Sequence, residues 1–221
     1  MAMQDEPENF FQKEAELEQD NGDRTTYINR ELIFSNDYER AISSLNENPK
    51  CTRIIIRAAR KMLEHHHGDS YEDLCFIDSN TNKYLTQKHY RVNIREVKPT
   101  RKMVRMTEDN PFIISVHNHP TNGFPSPSDF RSCAILGYKY GLIVCHNGSI
   151  YMYSVRKDYN SVNAEAAINI AEKEEGKLAG LAFDMEAFKA QHEKNMKEFQ
   201  SLLSDAGVTF KEVLWYVDKR N

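Results

Sequence analysis

The chain has 221 residues, which is enough for one well-cored domain and an appended segment. Hydrophobic residues make up 40% of it and charged residues 28%, so we predict a folded protein rather than a disordered one. A formal net charge of −4, without a dominant cluster of Lys and Arg, disfavours a nucleic-acid partner. The longest apolar runs are too short to cross a bilayer, so no membrane partner is expected either.

The N-terminal residues 1–25 are acidic and are predicted to form a flexible tail outside any core. They contain no apolar stretch of the kind that a secretory signal needs. The chain has four cysteines and no Cys-x-x-Cys pair, a pattern that favours a reducing compartment. A cytoplasmic protein is therefore the simplest expectation.

Helical patterns come first along the chain, and strand patterns follow. A short helix over Tyr38–Leu45 ends at Asn-Glu-Asn-Pro, and a longer amphipathic helix begins near Cys51 and stops at Gly68. Three short apolar runs behind it are predicted to be strands: Asp73–Ile77, Tyr84–His89 and Phe112–Val116.

The second half of the chain continues with further helices and strands. A helix is predicted to start at Ser126-Pro127, because serine is a good N-cap and proline suits the first helical position, and to end at Gly141. A hairpin across Asn147-Gly148 follows. A helix over residues 184–203, whose apolar stripe indicates intramolecular packing rather than partner docking, then leads to a last strand over Val208–Val217.

This order of elements predicts the fold class. Helix, strands, helix, strands and helix in succession favour an α/β sandwich with a mixed or antiparallel sheet. A doubly wound parallel sheet is disfavoured because the strands come in adjacent pairs without crossover helices.

The segment between the third predicted strand and the next helix carries metal-binding chemistry. His117 and His119 alternate at a strand end, so both imidazoles project to the same side. Asp129 falls in the first turn of the helix that follows. Two histidines and one carboxylate, with the fourth position left to water, are a usual ligand set of catalytic zinc, and nitrogen ligands favour zinc over magnesium or calcium. The sequence therefore predicts a zinc cofactor held by His117, His119 and Asp129.

Two histidine patterns in the chain also have simpler interpretations. A bare His-x-His more often marks surface histidines, but the Ser-x-x-Asp that follows supplies a third ligand and favours a metal site. His65, His66 and His67 point in different directions at a helix end. A solvated helix end is the expectation there, and a second metal site is the alternative.

The segment HNHPTNGFPSPSD resembles the signature of the JAB/MPN (JAMM) zinc metallopeptidases, two histidines in His-x-His-Pro followed by Ser-x-x-Asp. The gap between His119 and Ser126 is one residue shorter than in the commonest form of that signature. The wider stretch over residues 50–155 is similar to JAB domains of phage minor head (head-morphogenesis) proteins. The resemblance implies a cytidine-deaminase-like sandwich of a mixed, largely antiparallel sheet with flanking helices, plus a helical C-terminal segment.

The same resemblance implies a domain organisation and roles for two further residues. Residues 26–160 would form the JAB/MPN domain with a helical lead-in, and residues 161–221 a helical C-terminal extension ending in a strand. Glu72 would be the general acid/base, with Glu64 and Asp73 as competing candidates. Ser126 would donate a hydrogen bond to the oxyanion of the tetrahedral intermediate, or act as a helix cap alone.

The function that follows from the resemblance is zinc-dependent hydrolysis of a peptide or isopeptide bond. Its substrate would be a protein or peptide, such as a ubiquitin-like or phage head protein, held beside the loop Thr121–Pro125 by pairing with a sheet edge at His117. The alternative is a phage head-associated structural module that retains zinc without turnover, in a bacterial or phage-infected cell or in the virion. A zinc nucleobase deaminase is disfavoured because His-x-Glu with Pro-Cys-x-x-Cys does not occur.

Overall fold

A computed structural model of the chain describes residues 27–88, 97–178 and 184–216. The tail predicted over residues 1–25 lies outside this described part, as does His89 at the end of the second predicted strand. All four cysteines lie within it, and each is buried and unpaired.

Helices and strands alternate through the described residues much as the sequence predicts. The helices are α1 (Arg30–Ile33), α2 (Asn36–Ser43), α3 (Pro49–His65), α4 (Arg101–Thr107), α5 (Pro127–Leu136), α6 (Ser161–Gly176) and α7 (Met185–Asp205). The strands are β1 (Leu74–Asp78), β2 (Tyr84–Gln87), β3 (Ile113–His119), β4 (Tyr140–Cys145), β5 (Ile150–Val155) and β6 (Val208–Leu214). Among the described helices, none combines the length and apolarity that a membrane crossing needs.

The six strands form one open sheet in the order β2-β1-β3-β4-β5-β6. Only the central pair, β3 and β4, is parallel, and every other neighbouring pair is antiparallel. The predicted α/β class with a mixed, mainly antiparallel sheet is thereby confirmed, and so is the hairpin, which joins β4 to β5 across Asn147-Gly148.

Two hydrophobic cores cover the two faces of this sheet. Because side chains alternate along a strand, Val116 of β3 faces the core under α1, α2 and α3, which we call the far-side core. Ile113 faces the core built with α4, α5, α6 and α7, which we call the site-side core. All seven residues of β3 are buried, as expected for a central strand covered on both faces.

One helix end differs from the prediction. Helix α5 ends at Gly137, which has the left-handed φ of 65° typical of a glycine C-cap. Gly141, the predicted end, lies inside β4. A Cβ atom added at Gly141 would come within 2.1 Å of the Tyr153 ring, so glycine serves a close approach in the sheet there rather than a helix stop.

The position of β3 also corrects the expected sheet edge. Opposite His117 lie Leu74 of β1 on one side and Ile143 of β4 on the other. A strand paired on both sides offers no free ladder to a substrate at this point, so recognition by edge pairing at His117 is wrong.

The C-terminal elements join the same sheet and core. Strand β6 pairs antiparallel with β5, from Ile150 opposite Leu214 to Val155 opposite Val208. Helix α7 contributes Phe199 to the site-side core, which confirms that its apolar stripe packs within the chain.

Candidate metal centre

His117 and His119 lie at the carboxyl end of β3 on the site side of the sheet. Ser115, His117 and His119 share one face of the strand, while Val116 and Asn118 share the other. Both histidines are buried, with 4% and 8% of their surfaces exposed. The alternation that the sequence predicted therefore brings the two imidazoles together.

Helix α5 brings Asp129 to the same point. Ser126 is its N-cap, with Pro127 at the first helical position, as predicted. The Asp129 N–H donates to Ser126 Oγ, while the Ser126 N–H and hydroxyl both donate to Asp129 Oδ2, at 2.7 and 2.8 Å. This capping box fixes the carboxylate and leaves Oδ1 directed at His117.

The distances among the three side chains fit a metal ion. His117 Nε2 lies 3.1 Å from His119 Nε2 and 3.1 Å from Asp129 Oδ1. His119 Nε2 lies 3.5 Å from Asp129 Oδ2. Tetrahedral zinc with bonds of about 2.0–2.1 Å would separate its ligand atoms by roughly 3.3 Å, close to the two 3.1 Å spacings from His117 Nε2. His117, His119 and Asp129 could therefore hold a metal ion.

The charges in this group also favour a cation. Burial alone would raise the pKa of the Asp129 carboxyl, but the His117 and His119 imidazoles hold it well below its usual range. Burial would lower the pKa of His119, but Asp129 and Glu72 outweigh it and raise this pKa to about 9. The Asp129 carboxylate is therefore ionised, and together with Glu72 it gives the site negative charge that a cation would balance.

The loop between β3 and α5 orients one of the two imidazoles. His119 Nδ1–H donates a hydrogen bond to the carbonyl oxygen of Gly123 at 3.2 Å, which leaves Nε2 for a metal. Phe124, the next residue, packs on α7 and β5, with its ring centroid 4.9 Å from that of Phe199 and 5.4 Å from that of Tyr151.

Glu72 reaches the metal centre from the segment before β1. Its Oε1 lies 3.9 Å from His119 Nε2, farther than the ligand atoms are from one another. Glu72 and the three ligand residues line one cavity of about 730 Å³, to which the loop residues Thr121 and Phe124 also contribute. The predicted loop therefore forms one wall of a cavity beside the metal centre.

Neither competing acid reaches this cavity. Glu64 lies on α3, with its Oε1 3.6 Å from Arg30 on the far side of the sheet. Asp73 points away from Glu72 and is bonded to His65 and His66. Of the three candidate acids, Glu72 alone is among the residues that line the cavity.

The sequence predicts a solvated helix end at the consecutive histidines of α3, and the structure differs from this prediction. His66 is 1% exposed, with Nδ1 2.9 Å from Asp69 and Nε2 3.0 Å from Asp73. His65 Nδ1 is 2.9 Å from the other oxygen of Asp73. Burial would lower the pKa of His66, but bonds to the two aspartates raise it to about 9. His65, His66 and Asp73 are a second group that could hold a metal ion, and each contact also fits a hydrogen bond.

Sequence reasoning missed the groups that support the site. Asn118, between the two ligands, is fully buried and bonds to the segment that carries Glu72. The Gly123 carbonyl and the Phe124 ring hold the loop beside His119. Strand alternation does place Asn118 on the opposite face from the ligands, but its partners depend on tertiary contacts far along the chain.

Comparisons of the chain with protein-family models, with curated proteins and with solved structures gave no match.

Proposed function

We propose that this protein is a zinc-dependent hydrolase of the JAMM type, which cleaves a peptide or isopeptide bond. His117, His119 and Asp129 hold the zinc ion in this proposal. The observation that carries it is the position of Glu72, whose carboxylate stands beside the ligand group but outside it, on the wall of an accessible cavity. A zinc site with a purely structural role needs neither a neighbouring acid nor an open position.

The chemistry divides between the bound ion and the side chains of the chain. A zinc ion held here would polarise water and make hydroxide available near neutral pH. Glu72 Oε1 accepts a proton from the attacking water, whose oxygen bonds to the amide carbon. Glu72 then delivers that proton to the departing amine nitrogen as the carbon–nitrogen bond breaks.

The Ser126 hydroxyl already donates a hydrogen bond within the helix cap, and the same proton would be needed to contact an oxyanion. Its hydroxyl lies 2.8 Å from Asp129 Oδ2 and 2.8 Å from Ser128 Oγ. A hydrogen bond to a developing oxyanion would require the Ser126 proton to turn away from Asp129. In this proposal Ser126 acts first on Asp129, and the oxyanion contact is its second role.

Glu72→Gln tests the proposed function, because glutamine keeps the size of the side chain and loses its basicity. We expect the variant to keep its fold and zinc and to lose at least about 10²-fold in turnover, the scale of general acid–base catalysis. The assay offers ubiquitin-like conjugates, linear peptides and phage head proteins to the zinc-loaded enzyme. Cleavage should stop when a chelator is added. Unchanged turnover in Glu72→Gln contradicts the role of this residue.

Zinc content tests the ligand set separately from activity. Elemental analysis should find about one zinc per chain by ligand count, and none in a His117→Ala/His119→Ala variant. The matched control is His65→Ala/His66→Ala, which removes two histidines from the other group and should retain the zinc. Metal loss only in this control would move the centre to the end of α3.

A further inference from the structure

The residue between the two histidine ligands links the metal centre to Glu72. Asn118 is 0% exposed, and its side chain lies on the opposite face of β3 from His117 and His119. An asparagine in such a position must find partners for both its amide donor and its carbonyl acceptor, because an unpaired buried polar group costs roughly 1–3 kcal/mol.

Asn118 finds these partners on the two sides of Glu72. The Asp73 N–H donates to Asn118 Oδ1 at 2.7 Å, and Asn118 Nδ2 donates to the carbonyl oxygen of Tyr71 at 2.9 Å. We call these two bonds the Asn118 clamp. They hold the backbone immediately before and after Glu72.

The clamp begins where strand pairing stops. The ladder between β1 and β3 ends with Leu74 opposite His117, so residues 71–73 lie beyond its last pair. A side-chain amide offers a donor and an acceptor in one plane, as a backbone peptide does. The Asn118 side chain therefore extends the hydrogen bonding between β3 and the chain before β1 past the last backbone pair, to Tyr71 and Asp73.

The same segment is anchored to α3 on its other side. The Asp73 carboxylate is bonded to His66 Nε2 and His65 Nδ1, at 3.0 and 2.9 Å. The backbone around Glu72 is therefore fixed both to the strand of ligands and to the end of a helix. Two independent attachments leave this segment little freedom to turn.

We propose that Asn118 is a positioning residue, which sets the carboxylate of Glu72 at its distance from the metal ligands through the Asn118 clamp. The inference rests on the proposed function for the role of Glu72. One strand thus supplies the metal ligands on one face and the support of the general base on the other. A shift of about 1 Å in a catalytic group can cost roughly 10²-fold in rate, so such support matters for turnover.

A crystal structure of Asn118→Ala tests the position of Glu72 without any substrate. We expect the Glu72 carboxylate to leave its place 3.9 Å from His119 Nε2, while His117, His119 and Asp129 keep their spacing. In solution, the Asp73 amide hydrogen should exchange at least about tenfold faster. An unmoved Glu72 carboxylate overturns the proposal. If the alanine variant does not fold, Asn118→Asp keeps the acceptor for Asp73, loses the donor to Tyr71, and is judged by the same displacement.

Turnover in a double-mutant cycle separates positioning from general loss of structure. Asn118→Ala should lower kcat by about 10- to 100-fold in the native background and less than about threefold in the Glu72→Gln background. Equal losses in both backgrounds overturn the proposal. The matched control is Asn195→Ala, which removes a buried asparagine bonded to Gln191 and Glu175, away from the cavity. It should leave Glu72 in place. If Glu72→Gln is itself fully active, the proposed role of Glu72 as general acid/base fails, while the crystal structure still decides the clamp.

Discussion

At the scale of single residues, the molecule repeatedly buries a histidine between carboxylates. His66 lies between Asp69 and Asp73, and His119 lies close to both Asp129 and Glu72. His192, on α7, lies between Glu175 and Glu212. Such a histidine is stable when a proton or a metal ion balances the carboxylates. Of these three groups, the one at His119 lines the cavity of about 730 Å³ together with Glu72, and this distinguishes it as the catalytic candidate.

His192 gives a test of this principle away from the metal centre. Its Nδ1 lies 2.9 Å from Glu175 and its Nε2 3.1 Å from Glu212, and its ring stacks on Trp215 with centroids 3.6 Å apart. Burial would lower the pKa of His192, but the two glutamates raise it to about 9. Because the pKa is raised in the folded state, the stabilisation is complete below the unfolded value of about 6.5 and is lost as the pH rises through about 9.

We therefore expect the stability advantage of the native protein over His192→Gln to shrink as the medium becomes alkaline. Between pH 6 and pH 10 the difference in free energy of unfolding should narrow by up to about 3 kcal/mol, since each pKa unit is worth about 1.4 kcal/mol. Urea unfolding followed by the fluorescence of Trp215, the single tryptophan, measures it. A difference that stays constant with pH would show that the pKa of His192 is not raised in the folded protein.

The three residues that could hold a metal ion could be predicted to lie together from the sequence, whereas the residues that support them could not. Strand alternation and helix capping are local, so the placement of His117, His119 and Asp129 follows from a few neighbouring residues. The burial of His66 and the bonds of Asn118 depend on contacts between segments distant in the chain. A polar residue such as Asn118, between two candidate ligands on a central strand, nevertheless indicates that another segment of the chain supplies hydrogen-bond partners on that face of the strand.

At the scale of elements, the start of α5 joins helix stability to metal binding. Asp129 Oδ2 accepts the N–H and the hydroxyl of Ser126, so its other oxygen is turned to His117. The same capping box that begins the helix therefore orients Asp129, one of the three residues that could hold a metal ion. Such outer contacts on a ligand typically change metal affinity by 10- to 100-fold.

Ser126→Ala should accordingly weaken two properties together. The free energy of unfolding of the metal-free protein should fall by about 1 kcal/mol, as expected for a lost N-cap. Zinc affinity, measured by competition with a chromogenic chelator, should fall by at least about tenfold. Ser126→Thr keeps a hydroxyl at the cap and should remain close to the native protein in both. A zinc affinity that is unchanged in Ser126→Ala would mean that the cap does not orient Asp129.

The boundaries of elements were harder to predict than their existence. The sequence pattern predicted that α5 ends at Gly141, but the helix runs over Pro127–Leu136 and Gly137 is its C-cap. Gly137 has the left-handed backbone of a C-cap, while Gly141 lies in β4 beneath the ring of Tyr153. The requirement at Gly141 comes from a side chain on the neighbouring strand, which a local pattern does not contain.

At the scale of the whole molecule, the C-terminal elements support the loop that carries part of the site. Phe124 follows Gly123, whose carbonyl orients His119. Its ring packs on Phe199 of α7, 4.9 Å between centroids, and lies 6.3 Å from Phe210 of β6. The metal centre and the last helix and strand are thus linked through one aromatic cluster in the site-side core.

This link predicts that a mild change in α7 alters zinc binding at a distance. Phe199→Leu replaces a fully buried ring with a smaller side chain, so Phe124 loses part of its support and Gly123 can move away from His119. Zinc affinity should fall by up to about tenfold. This is less than the 10- to 100-fold loss that is typical when a hydrogen bond to a metal ligand is removed directly. Competition with a chromogenic chelator measures it.

The control is a comparable loss in the other core. Ile55→Val lies in the far-side core under α3 and should cost about 1 kcal/mol of stability, close to the cost of the Phe199 change. Its zinc affinity should stay at the native value, because Phe124 and its aromatic partners Phe199 and Phe210 pack in the site-side core, whereas Ile55 lies in the far-side core. Equal effects of the two variants on zinc affinity would mean that the metal centre responds to overall stability alone. A loss confined to Phe199→Leu would make the C-terminal helix a functional part of the site.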